Sequence, residues 1–452
     1  MKKKSLISIF LLFSMMFTLL ITPAAALEDP GLQCRNAILM DSIHDDVLYE
    51  KGGYEKAYPA SLTKIMTALL VVEAIDRGEI AADTPVTAGE TALQGLSGNF
   101  STAGVKPGNT LTVEELLYCL MLPSANEAAN ILAVAVDGSI EDFVAHMNRR
   151  AGTLGCKDTH FMNPHGLHHP EHYTTAYDLA LITDAALEHD LFRTVIKTPS
   201  YKIAPNDTHG EIYFFNTNGL ISNLYYSNYV YDKCIGGKTG STDEAGRCLM
   251  SVAVNGDDTY ISVVLGSGPI PGPNGSLIQG QFSESTKLFK WGFDNFRRVE
   301  ITQDSEPVAT VPVALSRTAK EVMVRPSGTI TRTIPKDVDL DKMEKEISVF
   351  DGVVAPVKAN QVLGTMKLSY EGQVYGTIDL VAVEAVERSE LLYQKERFLN
   401  FMKEYWKVMD LAAAAVVVLV LILRFTLFNK KRRYGSHRNR VRGNYRGFRH
   451  RY

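Results

Sequence analysis

Residues 59–64, Pro-Ala-Ser-Leu-Thr-Lys, place the hydroxyl of Ser61 and the amine of Lys64 three positions apart, at the head of the apolar helical run YPASLTKIMTALLVVEAI. On a helix, positions three apart share a face, which brings the two side chains within hydrogen-bond reach. A serine hydroxyl is a poor nucleophile until a base takes its proton. Lysine serves as that base only where burial or a neighbouring cation lowers its pKa. Flanked by Ile65, Met66 and Leu69, Lys64 either snorkels to water or is kept neutral for chemistry. Ser61 near a helix start also sets backbone N–H groups where an oxyanion can be held. Alone the pattern says little, since ordinary residue usage yields about one or two S-x-x-K matches in a chain this long.

Two further segments sharpen it. LMLPSANEAAN carries Ser124-x-Asn126 at a break between helical runs marked by Pro123, where a hydroxyl and an amide can relay a proton and hold a substrate amide. DKCIGGKTGSTDEAG carries Lys238-Thr239-Gly240 on a strand, with Gly236 and Gly237 leaving room for an approaching backbone. Lys238 supplies a second cation, which favours a neutral Lys64 and attracts a substrate carboxylate.

Around these motifs, short strands are expected near 37–41 and 47–50, joined by a polar turn at His44-Asp45-Asp46. Helices follow over 61–76, after Thr112 with Glu115 as a capping box, after Ser139 up to a stop at Gly155, and over 175–189. Strand-like runs return at DKCIGGKTG, GRCLMSVAV and TYISVVLGS, before the helix STKLFKWGFDNF. Strands at both ends with helices between predict an α/β layout on an antiparallel sheet built from distant segments. Beyond it, EVMVRPSGTITRTIP, GVVAPVKANQVLGTMKLSY and QVYGTIDLVAVEA alternate as short strands, with Glu371-Gly372 as a hairpin turn.

The chain's 452 residues, 45% hydrophobic and 22% charged, suffice for two or three globular units. Residues 1–26 have three lysines, an apolar run and a closing Ala-Ala-Ala, the pattern of a cleaved secretory signal. The run LAAAAVVVLVLILRFTLF, 411–428, reaches roughly 27 Å as a helix and can cross a bilayer. Tyr405 and Trp406 precede it and Lys430, Lys431, Arg432 and Arg433 follow it. That arrangement predicts an extracytoplasmic body and a cytoplasmic basic tail. The expected segments are 1–26 signal, 27–298 catalytic domain, 299–385 small β domain, 386–407 amphipathic linker helix, 408–428 transmembrane helix and 429–452 basic tail. Of 47 Lys and Arg, ten lie in the tail and three in the signal, which leaves 34 against 51 acidic residues between them. So acidic a body excludes a nucleic-acid-binding surface there. Cys34, Cys119, Cys156, Cys234 and Cys248 form no C-x-x-C pair, and buried free thiols are expected. His165, His168, His169 and His172 match no zinc spacing and read as surface-loop residues.

Ser-x-x-Lys, Ser-x-Asn and Lys-Thr-Gly in this order, separated by 63 and 114 residues, are the signature set of penicillin-binding proteins and serine β-lactamases. With PASLTKIMTA, LLYCLMLPSANEAANILA, THFMNPHGL, HYTTAYDLALIT and GGKTGSTDEAGRC, the chain resembles the D-alanyl-D-alanine carboxypeptidases, the low-molecular-mass penicillin-binding proteins. The resemblance implies a transpeptidase-like α/β domain, a small all-β domain and a C-terminal membrane anchor. It also implies removal of the terminal D-alanine from peptidoglycan pentapeptide through an acyl-enzyme, acylation by β-lactams, and no cofactor. Carried over, Ser61 is the nucleophile, Lys64 its base, Ser124 the proton shuttle and Asn126 a substrate ligand. Lys238 and Thr239 bind the terminal carboxylate beside Gly240, and the N–H groups of Ser61 and Ser241 form the oxyanion hole. The alternatives are a serine β-lactamase, though the E-x-x-L-N pattern of class A enzymes is missing after Glu171, and a non-catalytic wall scaffold. One departure stands out: where many relatives carry a carboxylate-binding arginine before the Phe of GQFSESTKLFKWGF, this chain has Gln281, with Arg247 as a candidate to compensate.

Overall fold

Alternation of side chains along three central strands decides the architecture. Ile38, Met40, Met250, Val252, Ile261 and Val263 pack into one apolar core. Their sequence neighbours Ala37, Leu39, Leu249, Ala253, Tyr260 and Val264 pack into another. Successive residues of a strand point to opposite faces, so a strand buried on both faces reads as a continuous apolar run and belongs in the middle of a layered fold. The computed structural model describes residues 27–272 and 275–435. The expected signal, 1–26, and the end of the basic tail, 436–452, lie outside the described residues.

The sheet comprises β1 (Asn36–Asp41), β2 (Val47–Lys51), β3 (Cys234–Thr242), β4 (Gly246–Asn255) and β5 (Asp258–Ser267) in the order β2-β1-β5-β4-β3. Every pairing is antiparallel. On the face with the larger core lie α1 (Lys64–Asp76), α2 (Val113–Met121), α3 (Asn126–Asp137), α4 (Ile140–Thr153), α5 (Ala176–Leu187) and α6 (Asp190–Lys197). On the other lies α7 (Gly280–Asn295), through Phe282, Leu288, Phe289 and Phe293. Glu284 of α7, buried, accepts from the backbone N–H of Gln33 and Cys34 and from Ser267 Oγ. A buried carboxylate is tolerated there because fixed donors replace its water.

Local signals formed as their chemistry dictates. Thr112 and Glu115 make the reciprocal capping box of α2, and Ser139 caps α4 by accepting from the Asp142 N–H. The 61–76 helix differs from expectation in its first turn. Ala60–Thr63 form a 3-10 turn without a side-chain cap, and the α-helix begins at Lys64. All five cysteines are free thiols. Cys234 and Cys248 do occupy neighbouring strands, but their register partners are Ala253 and Gly240 rather than each other.

By internal packing, the described part of the chain falls into two units. One runs to Glu300 and takes back Thr331–Val338, and the other holds Ile301–Ile330 and the chain from Asp339 on. Thr331–Pro335 returns because it pairs with Phe296–Glu300 as an antiparallel ribbon. The second unit has its own five-stranded sheet, β6 (Ala309–Pro312), β7 (Glu321–Pro326), β8 (Glu344–Val349), β9 (Val362–Tyr370) and β10 (Gln373–Ala382), ordered β6-β7-β10-β9-β8. Glu371 and Gly372 join β9 to β10 with φ of 50° and 84°, the positive pair that a two-residue hairpin needs. The final helix, α8 (Glu390–Gly435), is continuous and contains a window of mean hydropathy 2.7. It is the one helix among the described residues long and apolar enough to cross a membrane.

Candidate active site

The 3-10 turn carrying Ser61 is held from two sides by glycines. Gly166 lies so close that a Cβ there would meet the Ala60 carbonyl oxygen at 1.9 Å. Gly240 of β3 lies against the turn's leading edge, where a Cβ would sit 3.1 Å from both the Pro59 oxygen and the Ser61 nitrogen. Ala60 has φ 47° and Ser124 φ 67°. For residues with a Cβ this left-handed backbone is held in place only by its surroundings.

Lys64 is fully buried. Its Nζ lies 3.1 Å from Ser61 Oγ, 2.7 Å from Asn126 Oδ1 and 2.6 Å from the His165 carbonyl oxygen. Burial first, then the nearby Lys238 charge, hold its pKa well below the usual lysine range, against the opposing pull of the Glu127 carboxylate. Lys238 is 1% exposed and donates to the Thr239 carbonyl oxygen at 2.9 Å, and burial brings its pKa down to about 7. Two like charges in a dry site cannot both be held.

The His165 carbonyl reaches Lys64 because the segment 163–167 is folded by an asparagine side chain. Asn163 Oδ1 accepts from the N–H of His165 and Gly166, and its Nδ2 donates to the Leu167 oxygen. An asparagine that bonds its own downstream backbone is a turn former. The expectation of surface histidines fails here for two of the four. His165 and His172 are 5% and 2% exposed, and burial lowers each pKa to about 3, which keeps both neutral. His172 Nδ1 accepts from the Met162 N–H, so Nε2 carries the proton and donates to Thr63 Oγ1, which donates in turn to the Ala60 oxygen.

In front of this buried layer opens a cleft of about 360 Å³. Of the expected site residues Ser61, Ser124, Thr239, Gly240 and Ser241 line it, while Lys64, Asn126 and Lys238 are buried. Ser124 Oγ, itself buried, has no hydrogen-bond partner among the described residues. Asn126 is fixed at the start of α3 by its N–H to the Ser101 oxygen. Sequence reasoning missed Thr217, whose Oγ1 lies 2.6 Å from Thr239 Oγ1, and Ser101 and Tyr226 on the same cleft. No local pattern marks these three, and the turn at 163–166 that delivers the His165 carbonyl was also not foreseen, although its Asn-Pro and Gly are turn residues. The room left by Gly236 is taken up by the backbone of Ile196, at the end of α6. Among the described residues, one group could gather a metal ion, Asp41, His44 and Asp46. Asp41 there already accepts from His44 and Thr333.

Residues 23–268 match the family Peptidase_S11, described as D-alanyl-D-alanine carboxypeptidase. Residues 296–388 match the C-terminal domain of penicillin-binding protein 5. D-alanyl-D-alanine carboxypeptidase DacF of Bacillus subtilis is 31% identical over 407 residues, 88% of this chain and 97% of that protein. DacC of Escherichia coli is 33% identical over 403 residues, 86% of this chain and 94% of that one. The crystal structure of penicillin binding protein 5 from Haemophilus influenzae superposes with a TM-score of 0.65 at 26% identity, over 80% of this chain and 100% of that one. A buried lysine beside a serine at the mouth of a cleft is the equipment of a serine acyl transferase. With these matches over nearly the whole length, the chain belongs to the D-alanyl-D-alanine carboxypeptidases, the low-molecular-mass penicillin-binding proteins, and is a serine-type carboxypeptidase of peptidoglycan metabolism.

Proposed function

We propose that Ser61 is the nucleophile and Lys64 the general base for removing the terminal D-alanine of a peptidoglycan stem peptide. The observation that carries this reading is the wholly buried Lys64 amine 3.1 Å from Ser61 Oγ. As a neutral amine, Nζ donates its two protons to Asn126 Oδ1 and the His165 oxygen and turns its lone pair to the Ser61 hydroxyl. Ser61 Oγ attacks the penultimate D-alanine carbonyl and its proton passes to Lys64. The oxyanion is held by the N–H groups of Ser61 and Ser241, donors of a kind worth about 10²–10³ in rate. Collapse breaks the peptide bond, and D-alanine leaves with a proton relayed through Ser124. Water then attacks the acyl-Ser61 ester and releases the shortened peptide, with Lys64 again taking a proton. Asn126 holds the substrate amide, and Lys238 and Thr239, next to Gly240, face its terminal carboxylate.

The strained amide of a β-lactam presents a similar carbonyl and carboxylate and acylates Ser61. The apolar stretch of α8 spans the cell membrane, with the 27–298 catalytic domain extracytoplasmic and the basic tail, 429–452, cytoplasmic. Four cations directly after the span favour that orientation. The test is release of D-alanine from a diacyl-Lys-D-Ala-D-Ala peptide by the full chain in detergent, beside its Ser61→Ala variant. Release abolished with Ser61 is the expected result; release that survives in the folded variant overturns the nucleophile assignment.

A further inference from the structure

The cleft in front of Ser61 contains no acidic side chain and a single cationic one, Arg247. Arg247, the second residue of β4, lies directly across from Ser241 of β3, and cross-strand partners in an antiparallel pair present side chains on the same face. The pairing of β4 with β5 shifts register between Arg247 and Leu249. Such an irregularity re-aims a side chain at the end of a strand. The guanidinium is not left to wander: Nη1 donates to Gln279 Oε1, and Gln281 Nε2 lies 3.5 Å from that same oxygen. Gln281 is 5% exposed, lines the cleft, and its Oε1 has no partner. Gln281 Oε1 only accepts and so offers nothing to an anion; what the cleft offers one is the Arg247 guanidinium among hydroxyl donors. Among the described residues, no carboxylate forms an ion pair with Arg247. Lys238, the other nearby cation, is buried outside the cleft lining with its Nζ committed to the Thr239 oxygen.

We infer that Arg247, oriented by Gln279 and Gln281, is the receptor for the free α-carboxylate of the substrate and sets the preference for a carboxylate over a neutral chain end. A guanidinium fork presents paired N–H groups that match a carboxylate bidentately. The cation needed for end recognition thus sits on strand β4, opposite a helix position occupied by an uncharged glutamine. The inference rests on the reading of Ser61 as nucleophile of this cleft.

The test compares kcat/KM for diacyl-Lys-D-Ala-D-Ala and for the same peptide with its C-terminus amidated, using the full chain in detergent. Wild type is expected to favour the free carboxylate by about 100-fold, the scale of a lost charge-assisted hydrogen bond in a desolvated site. In Arg247→Ala that ratio falls by about tenfold or more, Lys238 and Thr239 holding the remainder, and Arg247→Lys, which keeps the charge without the fork, loses less. A ratio unchanged in Arg247→Ala, or absent from wild type, overturns the proposal. So does an equal fall on both peptides, the signature of a structural defect. Ser61→Ala run in parallel separates the two readings, since turnover surviving in it overturns the nucleophile, while a fall in carboxylate preference between wild type and Arg247→Ala reports on Arg247.

Discussion

Behind the cleft, Lys64 and Lys238 are 0% and 1% exposed, whereas along its rim Ser61, Thr217, Thr239 and Arg247 keep contact with solvent. Burial alone brings Lys238 to about 7, and burial together with the Lys238 charge drives Lys64 well below its usual range. The rim does the reverse. It offers a guanidinium, a group that proteins do not deprotonate, and hydroxyls, which carry no charge to lose. Chemistry that needs a proton removed near neutral pH is therefore assigned to the buried wall, and recognition that needs a permanent charge to the rim. The asymmetry between the lysines follows from the same reasoning. Of two like charges in a dry site one must yield, and the lysine that touches Ser61 is the one on which both causes act.

The sharpest way to break this contrast is at the wall. Lys64→Met keeps the shape of the side chain and removes the amine, so kcat is expected to fall by roughly 10³-fold, as for loss of a positioned general base. The melting temperature should fall modestly, because Asn126 Oδ1 and the His165 carbonyl lose their buried donor. Steady-state kinetics and a thermal melt measure both, and turnover within tenfold of wild type would remove Lys64 from the reaction.

A smaller effect sharpens the division of labour between the lysines. If carboxylate recognition also uses charged Lys238, the useful form is the protonated one, which declines above its pKa of about 7. The kcat/KM of the free enzyme then falls about tenfold per unit as pH rises beyond 7. In Lys238→Arg the charge persists to much higher pH, so this alkaline limb should disappear from the profile. Its persistence in the variant would assign the limb to another group. The acid limb has the opposite sign, since the proposed base role of Lys64 requires the neutral amine, which protonation at low pH removes.

At the rim the expected change is smallest. Thr217→Val removes the partner of Thr239 Oγ1 and a donor to the Leu122 carbonyl oxygen in a half-exposed place, and should raise KM about three- to tenfold with kcat unchanged. A collapse of kcat instead would mean that Thr217 works with the wall rather than with recognition.

Much of this arrangement is legible because it is local or strictly periodic. Thr112 and Glu115 cap α2 within one turn, Glu371-Gly372 can only reverse the chain, and the doubly apolar runs of β4 and β5 have no place but mid-sheet. The S-x-x-K pair is legible for the same reason, as its two members lie one helical turn apart. The ribbon between Phe296–Glu300 and Thr331–Pro335 is not, since nothing in either short segment names its distant partner. Nor is the burial of His165 and His172, which depends on Gly166 packing against Ala60 about a hundred residues earlier in the chain.

By itself, then, the order of residues determined the layered α/β unit, the all-β unit after it, the apolar helix, and the identity of the groups able to act at the cleft. Tertiary structure alone decided which of them act as bases, charges or fixed donors. Whether Lys64 is an amine or an ammonium depends on how much water is excluded around it and on where Lys238 lies, a strand brought from 174 residues away. Whether Arg247 is an idle surface cation or a receptor depends on the register that sets it across from Ser241 and on the glutamines of a third segment. Electrostatic work falls off over a few ångströms and rises steeply as water leaves, and both distance and dryness are properties of the packed chain.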